Sequence, residues 1–410
     1  MNMKQIKKMI SPFYELYRHR VDTKRSAKLY NISKLMDVMT PLKESGKTKV
    51  RFSHYSESTW NAIESVVNAF AEDTACDVLV ILARNEEGMR RQVIKSGVPY
   101  VLYEDYRLEE DQPDVLVLSH TRDNTFKNAD RKYIKLLVVL SIALVHYYDD
   151  LKKYISETDQ SYGALNPDYH LYDRSMYDEL SIENVYGKKL ICMGNPKYDG
   201  IYKAANSDKT IPTWKKLSGK KVVLYAPDHG VQYGYIAPDF SFDVYAENIF
   251  RYFAVNKDMG LIFRPHPSFL EEMFKHGYWT HEDVDRLKNM FIRSENMIWD
   301  ENDTYDAAFS VCDAILTDCR CGIICSALPT LKPIGILYKK TGLTPINERL
   351  TACQYEIYSS EELTVFLDGV RKGSDDKLEL RKKTSSESVC HFDGMNGRRI
   401  KDFILEKVYS

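Results

Sequence analysis

From residue 49 onward, short runs rich in Val, Ile and Leu alternate with helical patterns, and this alternation restricts the chain to folds built on a parallel, helix-covered sheet. Val50–Ser53, Asp77–Leu82, Tyr100–Tyr103, Asp114–Leu118 and Leu137–Val145 read as strands, with a helix over Trp60–Phe70. A second series starts near Lys221, with strands at Val222–Tyr225, Gly260–Phe263, Ala314–Thr317 and Pro333–Leu337. Helices fall around Ala246–Val255, Glu282–Asn289, Asp306–Val311 and Ile323–Leu328. Between the series lies Gly194-Asn195-Pro196-Lys197, which has the composition of a linker. A chain of 410 residues exceeds what one core organises, so two α/β domains are expected.

In open parallel sheets ligands bind beyond the carboxyl ends of the strands. Here those ends are polar: Ser53-His54, Arg84, Ser119-His120 and His146 in the first series, then Asp228-His229, Arg264-Pro265-His266-Pro267 and Thr317-Asp318 in the second. Five of the ten histidines fall at these positions, so the set marks a site better than any one member does. A single histidine after a strand more often serves as a structural hydrogen-bonding group.

The sharpest motif is Gly260-Leu-Ile-Phe-Arg-Pro-His-Pro267, where prolines restrict the backbone on both sides of His266. Arg264 offers a planar fork suited to phosphate oxygens, and a carboxylate-paired arginine is the structural alternative. The second motif is Cys312-Asp-Ala-Ile-Leu-Thr-Asp-Cys-Arg-Cys-Gly322. Asp318 or Cys319 would stand near a helix N-cap, Gly322 would admit close approach, and the unpaired N–H groups would suit a phosphate. Cys319, Cys321 and Cys325 lack the spacing of a closed zinc site, so buried thiols are expected there and no metal ligand is assigned. The third motif, Val222-Val-Leu-Tyr-Ala-Pro-Asp-His-Gly230, places Asp228 and His229 at a rim.

Composition removes some alternatives. A net charge of −2 gives no reason to expect nucleic acid as partner. The eight cysteines are scattered, and the longest apolar run, Ile134–Val145, contains Lys135 and is too short for a bilayer, so a reducing cytoplasm is expected. Residues 1–49 hold twelve Lys and Arg against four Asp and Glu, with Ile6, Met9, Ile10, Phe13, Tyr14 and Tyr17 near helical spacing. Such a basic amphipathic helix suits either an anionic membrane surface or packing on the first domain.

Tyr225-Ala-Pro227, Arg264–Pro267, Cys312–Asp318, Leu331-Lys-Pro333 and Phe392-Asp-Gly394, in this order, resemble the CDP-glycerol glycerophosphotransferase family of teichoic acid primases and polymerases. Gly194-Asn195-Pro196-Lys197-Tyr198-Asp199 is similar to that family's interdomain motif, and the resemblance covers about residues 50–405. It implies a GT-B fold: a basic helical extension over 1–48, an acceptor domain over 49–197, a donor domain over 198–390, and a helix over 391–410 returning to the first domain. Where the family has Thr-Asp-Tyr-Ser-Ser, this chain has Thr317-Asp318-Cys319-Arg320-Cys321, without the two hydroxyls.

The resemblance also implies chemistry. A CDP-activated polyol phosphate would bind through Arg264, Asp228, His229, Thr317, Asp318, Cys319, Arg320, Cys321 and Gly322. A hydroxyl of a lipid-linked or glycan acceptor would attack phosphorus and expel CMP, at the inner face of a membrane. His266 would stabilise the leaving phosphate, and His146 or His120 would accept the hydroxyl proton. No cofactor is required by this scheme, although it has room for a divalent cation. Two other functions share the architecture: a glycosyltransferase using a nucleotide sugar, which would release a nucleoside diphosphate, and a binding or scaffold member with no turnover.

Overall fold

The computed structural model describes residues 46–120, 123–140, 160–163, 165–174, 178, 181, 187–206, 212–232, 235–302, 304–339 and 348–410. The expected N-terminal helix and His146 lie outside the described residues.

The first half forms β1 (Thr48–His54), α1 (Glu64–Ala71), β2 (Cys76–Leu82), α2 (Glu87–Ser96), β3 (Tyr100–Leu102), β4 (Val115–Leu118), β5 (Leu136–Leu140), β6 (Tyr169–Tyr172) and β7 (Leu190–Cys192). These strands make one parallel sheet in the order β3-β2-β1-β4-β5-β6-β7. Alternation along the strands supplies two cores. Val78, Val80 and Leu82 face one side with Phe52 and Phe70, while Leu79 and Ile81 face the other with Leu116, Leu137 and Val139. The helix expected over Trp60–Phe70 is divided into a 3₁₀ turn at Glu57–Ala62 and then α1.

After β7 the chain turns at Gly194, whose φ of +83° is a left-handed conformation, and enters α3 (Lys197–Ala205). The second half then forms β8 (Lys221–Ala226), α4 (Phe242–Val255), β9 (Met259–Phe263), α5 (Phe269–Lys275), α6 (His281–Arg293), β10 (Met297–Trp299), α7 (Asp306–Val311), β11 (Ala314–Asp318), α8 (Ile323–Ala327), β12 (Ile334–Leu337), β13 (Tyr355–Ile357), α9 (Ser360–Lys372), α10 (Leu378–Ser388) and α11 (Asn396–Tyr409). The second sheet, also parallel, has the order β10-β9-β8-β11-β12-β13. Both sheets reverse their winding beside the first strand, and in such folds the crevice at that reversal receives the ligand. The two parallel-sheet α/β domains are the GT-B architecture.

The last helix lies against the first sheet. Ile400, Ile404 and Val408 are buried in the cluster that holds Val66, Val67 and Phe70 of α1, and Phe403 meets the Tyr169 ring edge-on at 5.1 Å. Gly397 allows the contact: a Cβ there would come within 2.3 Å of the Ser65 carbonyl oxygen. The Asp199 carboxylate caps the helix by accepting the N–H groups of Asn396 (3.0 Å) and Gly397 (2.7 Å). The Phe392 ring packs edge-on to Tyr198 and Tyr202. Asp199 and Phe392 of the two interdomain motifs thus have a structural use: they join α3 to the returning chain.

Candidate active site

A cleft of about 570 Å³ is walled by both halves of the chain. The first contributes Glu57, Thr59, Asn61, Arg91, Gln92 and His120, and the second Asp228, His229, Arg264, His266, Tyr305 and Cys321. Lys197, the first residue of α3, lines it as well.

The Arg-Pro-His-Pro segment is held by continued strand-like bonding. The N–H of Arg264 donates to Tyr225 O (2.9 Å) and that of His266 to Pro227 O (3.0 Å), so β9 stays beside β8 past its formal end. Arg264 donates through Nη1 to Asp300 Oδ2 at 2.8 Å. Asp300 also accepts the backbone N–H of Asn302, which fixes the carboxylate and with it the guanidinium. The structural reading of Arg264 and its cleft position therefore hold together.

His266 accepts the Ser268 N–H at Nδ1 (3.2 Å), so the neutral ring carries its proton on Nε2. Burial pushes its pKa below the ordinary histidine value, keeping it a neutral donor. His229 has the opposite setting. Its Nδ1 lies 2.8 Å from Asp228 Oδ1, and that hydrogen bond raises its pKa. Burial pushes Asp228 up, but the His229 hydrogen bond and the nearby imidazoles outweigh it, and the carboxylate titrates below its usual range. The two rings lie edge to face with centroids 5.6 Å apart. Asp228, His229 and His266 offer ligand atoms within 4.8 Å of one another, the arrangement among the described residues that comes nearest to a cation site. The Nδ1 bond on each ring and the proton on His266 Nε2 make the trio a hydrogen-bonding unit as it stands.

The turn after β11 departs from expectation. Thr317, Asp318 and Cys319 are buried beneath the cleft and do not line it. Thr317 Oγ1 donates to Ala226 O (2.8 Å), and the Asp318 carboxylate accepts the N–H groups of Asp228 (2.7 Å) and Ser241 (2.9 Å). Burial raises Asp318 to about 7 against the pull of those bonds. These residues hold the Asp228–His229 turn in place. The Cys319 side chain packs among Leu224, Ile315 and Ile336, and burial pushes its thiol up to about 12. Arg320 is half-buried and outside the cleft wall, whereas Cys321 and Gly322 line it. The helix that follows, α8, has five residues, too short to concentrate a helix dipole on an anion. None of the eight cysteines forms a disulfide.

In the first half, His120 follows β4 and stacks on Tyr55, centroids 6.2 Å apart and planes 21° apart. His54 is buried against Trp60, with Nε2 3.1 Å from Gln92 Oε1, and burial lowers its pKa to about 4. It is a core group. Inspecting strand ends found His120 but missed Asn61, Arg91 and Gln92, which come from the turn and helix beyond those ends, and Lys197, hidden in what reads as a linker. In the cleft wall Asn61 Oδ1 and Tyr305 Oη are buried without a hydrogen-bond partner.

The family model described as CDP-Glycerol:Poly(glycerophosphate) glycerophosphotransferase matches residues 137–318, under half of the chain but including Arg264–Pro267 and β11. None of the curated proteins compared matches. Among solved structures, the wall teichoic acid polymerase TagF aligns with a TM-score of 0.59 and 14% identity, covering 100% of this chain and 98% of that one. MnaA from S. aureus with UDP gives 0.59 and 16%, covering 88% of this chain and 97% of that one. The glycotransferase of kitacinnamycin gives 0.55 and 11%, covering 88% and 99%. At these identities the structural matches establish the fold, and the sequence match supplies the chemistry. On that match the chain is a transferase like the CDP-glycerol glycerophosphotransferases, built on a GT-B frame.

Proposed function

We propose that this chain moves a polyol phosphate, glycerol phosphate or a close relative, from a CDP-activated donor to a hydroxyl of a lipid-linked or glycan acceptor in teichoic acid or capsule-type polymer synthesis. The observation that supports this most is the pairing, on one cleft wall, of an Arg264 fork fixed by Asp300 with a His266 whose Nε2 carries a proton. The acceptor oxygen attacks the phosphorus that bears the polyol. The bond from that phosphorus to the CMP oxygen breaks, and CMP leaves with the electron pair. The proton of the hydroxyl passes to a base on the first half, for which His120 is the described candidate at the cleft. Arg264 and His266 Nε2–H bear on the charge that grows on the departing phosphate. Chemistry of this kind depends on positioning and charge stabilisation, which a prefixed fork and donor supply.

The enzyme works at the inner face of a cytoplasmic membrane, reached through the basic segment 1–48. No helix among the described residues is long and apolar enough to cross a bilayer. The deciding experiment supplies CDP-glycerol, CDP-ribitol and nucleotide sugars with a polyol-phosphate acceptor and identifies the nucleotide released. CMP is expected. A nucleoside diphosphate from a nucleotide sugar, or no turnover with any donor, refutes the proposal.

A further inference from the structure

The connector between the two sheets carries a lysine, Lys197, at the cleft. The Lys197 ammonium has no ion-pair or hydrogen-bond partner among the described residues, and the half-buried side chain lines the cleft. Desolvation lowers its pKa to about 8, against the raising effect of Cys325, Cys321 and Asp306. Among the groups whose field reaches it, Asp306 is the one that ionises at neutral pH. The Cys321 thiol is held protonated by burial, and Asp306 is raised to about 6 by burial and by Glu64. His266, within reach of its field, is neutral.

An ammonium held partly out of water without a hydrogen-bonding partner is destabilised until a ligand supplies one. A second unmet group is nearby in the fold: Tyr305, which precedes α7, lines the same cleft with its buried hydroxyl unbonded, and α7 packs on α3. Both are donors, and both are cleft residues alongside Arg264 and His266.

We infer that Lys197 and Tyr305 form an anion subsite that binds one phosphoryl group of the donor's diphosphate, placing that group where the two halves of the chain join. The assignment to a nucleotide donor rests on the proposed function. The anion subsite itself does not.

Inorganic pyrophosphate, titrated calorimetrically into the full chain, tests the subsite without turnover. Lys197→Met should weaken it by about tenfold to a hundredfold, the range for a charge-assisted hydrogen bond. Lys197→Arg should retain most of the affinity. Tyr305→Phe, which removes a single oxygen, should weaken it by about threefold to tenfold. At pH 8 the wild type should take up more protons on binding than Lys197→Arg, read from heats in buffers of different ionisation enthalpy, because an anion restores the lysine's charge. Pyrophosphate affinity equal to wild type in both Lys197→Met and Tyr305→Phe overturns the inference, as does a wild type that binds no pyrophosphate. Tight pyrophosphate binding without CMP release leaves the subsite and removes the function. CMP release with unchanged affinity in the variants does the reverse.

Discussion

His266 and Asp306 show how position sets the use of a titratable side chain. The Ser268 N–H fixes which nitrogen of His266 bears the proton, so its donor is prepared before substrate arrives. His266→Ala should lower turnover by ~10²–10⁴-fold while donor affinity changes much less, whereas removing the Arg264 fork should mainly weaken donor binding. Steady-state rates beside calorimetric donor titrations separate the two, and full activity in His266→Ala would remove His266 from the chemistry. Asp306 makes a stability prediction. Burial, then the Glu64 carboxylate, raise it to about 6 from its ordinary 3.8, so the folded state binds a proton that the unfolded state has lost between those values. Its contribution is fully present below pH 4 and is lost as pH rises through 6, a change of about 2–3 kcal/mol. Asp306 Oδ1 has no hydrogen-bond partner, so Asn fits in its place. Melting temperature against pH should be flatter in Asp306→Asn than in wild type across that interval, and parallel curves would refute the assignment.

Among the elements, α11 depends on one close approach. Gly397→Ala forces a methyl into the Ser65 carbonyl and should cost about 1–3 kcal/mol. Gly369→Ala in α9, where the nearest atom to the new carbon is 3.9 Å away, should be neutral or stabilising by up to about 1 kcal/mol. Thermal melts of the pair test the contrast, and equal effects would mean that the approach at Ser65 relaxes freely. Most of the longer strands could be read from sequence because β2, β8, β9 and β11 are largely apolar runs buried on both faces. Strands β6, β7, β10 and β13 could not, since three or four residues such as Tyr-Glu-Ile carry no period, and only the neighbouring strand makes them extended. The site divides in the same way. Arg264, His266, Asp228 and His229 are adjacent to strand ends and legible, whereas Lys197 and Tyr305 reach the cleft through the packing of α3 on α7. Asp318 was misplaced for a related reason: the motif gives its sequence position but not that its oxygens are taken up by the Asp228 and Ser241 amides.

For the whole molecule, the proposed membrane attachment falls to the basic segment 1–48, of which residues 1–45 lie outside the described part. Deleting residues 1–30 should weaken binding to anionic liposomes and leave a residue of binding insensitive to salt, since each lysine near such a surface contributes about 1 kcal/mol that ionic strength screens. Unchanged co-sedimentation of the truncated protein would rule out the anchor. The two crossings of the chain between its sheets, at Asn195–Asp199 and at Cys390–Gly397, have a mechanical consequence. Asn396 donates to Asn195 O (3.1 Å) and Asp199 caps α11, so the crossings are bonded side by side. Two parallel tethers resist twist and admit rotation about the line through them, as a door turns on its pins. Lys197 belongs to the first crossing, while His120 and His229 line the cleft from the two halves. On opening about such a line, a ligand held at the crossing would move little, and one that spans the two halves would be pulled apart from one of them.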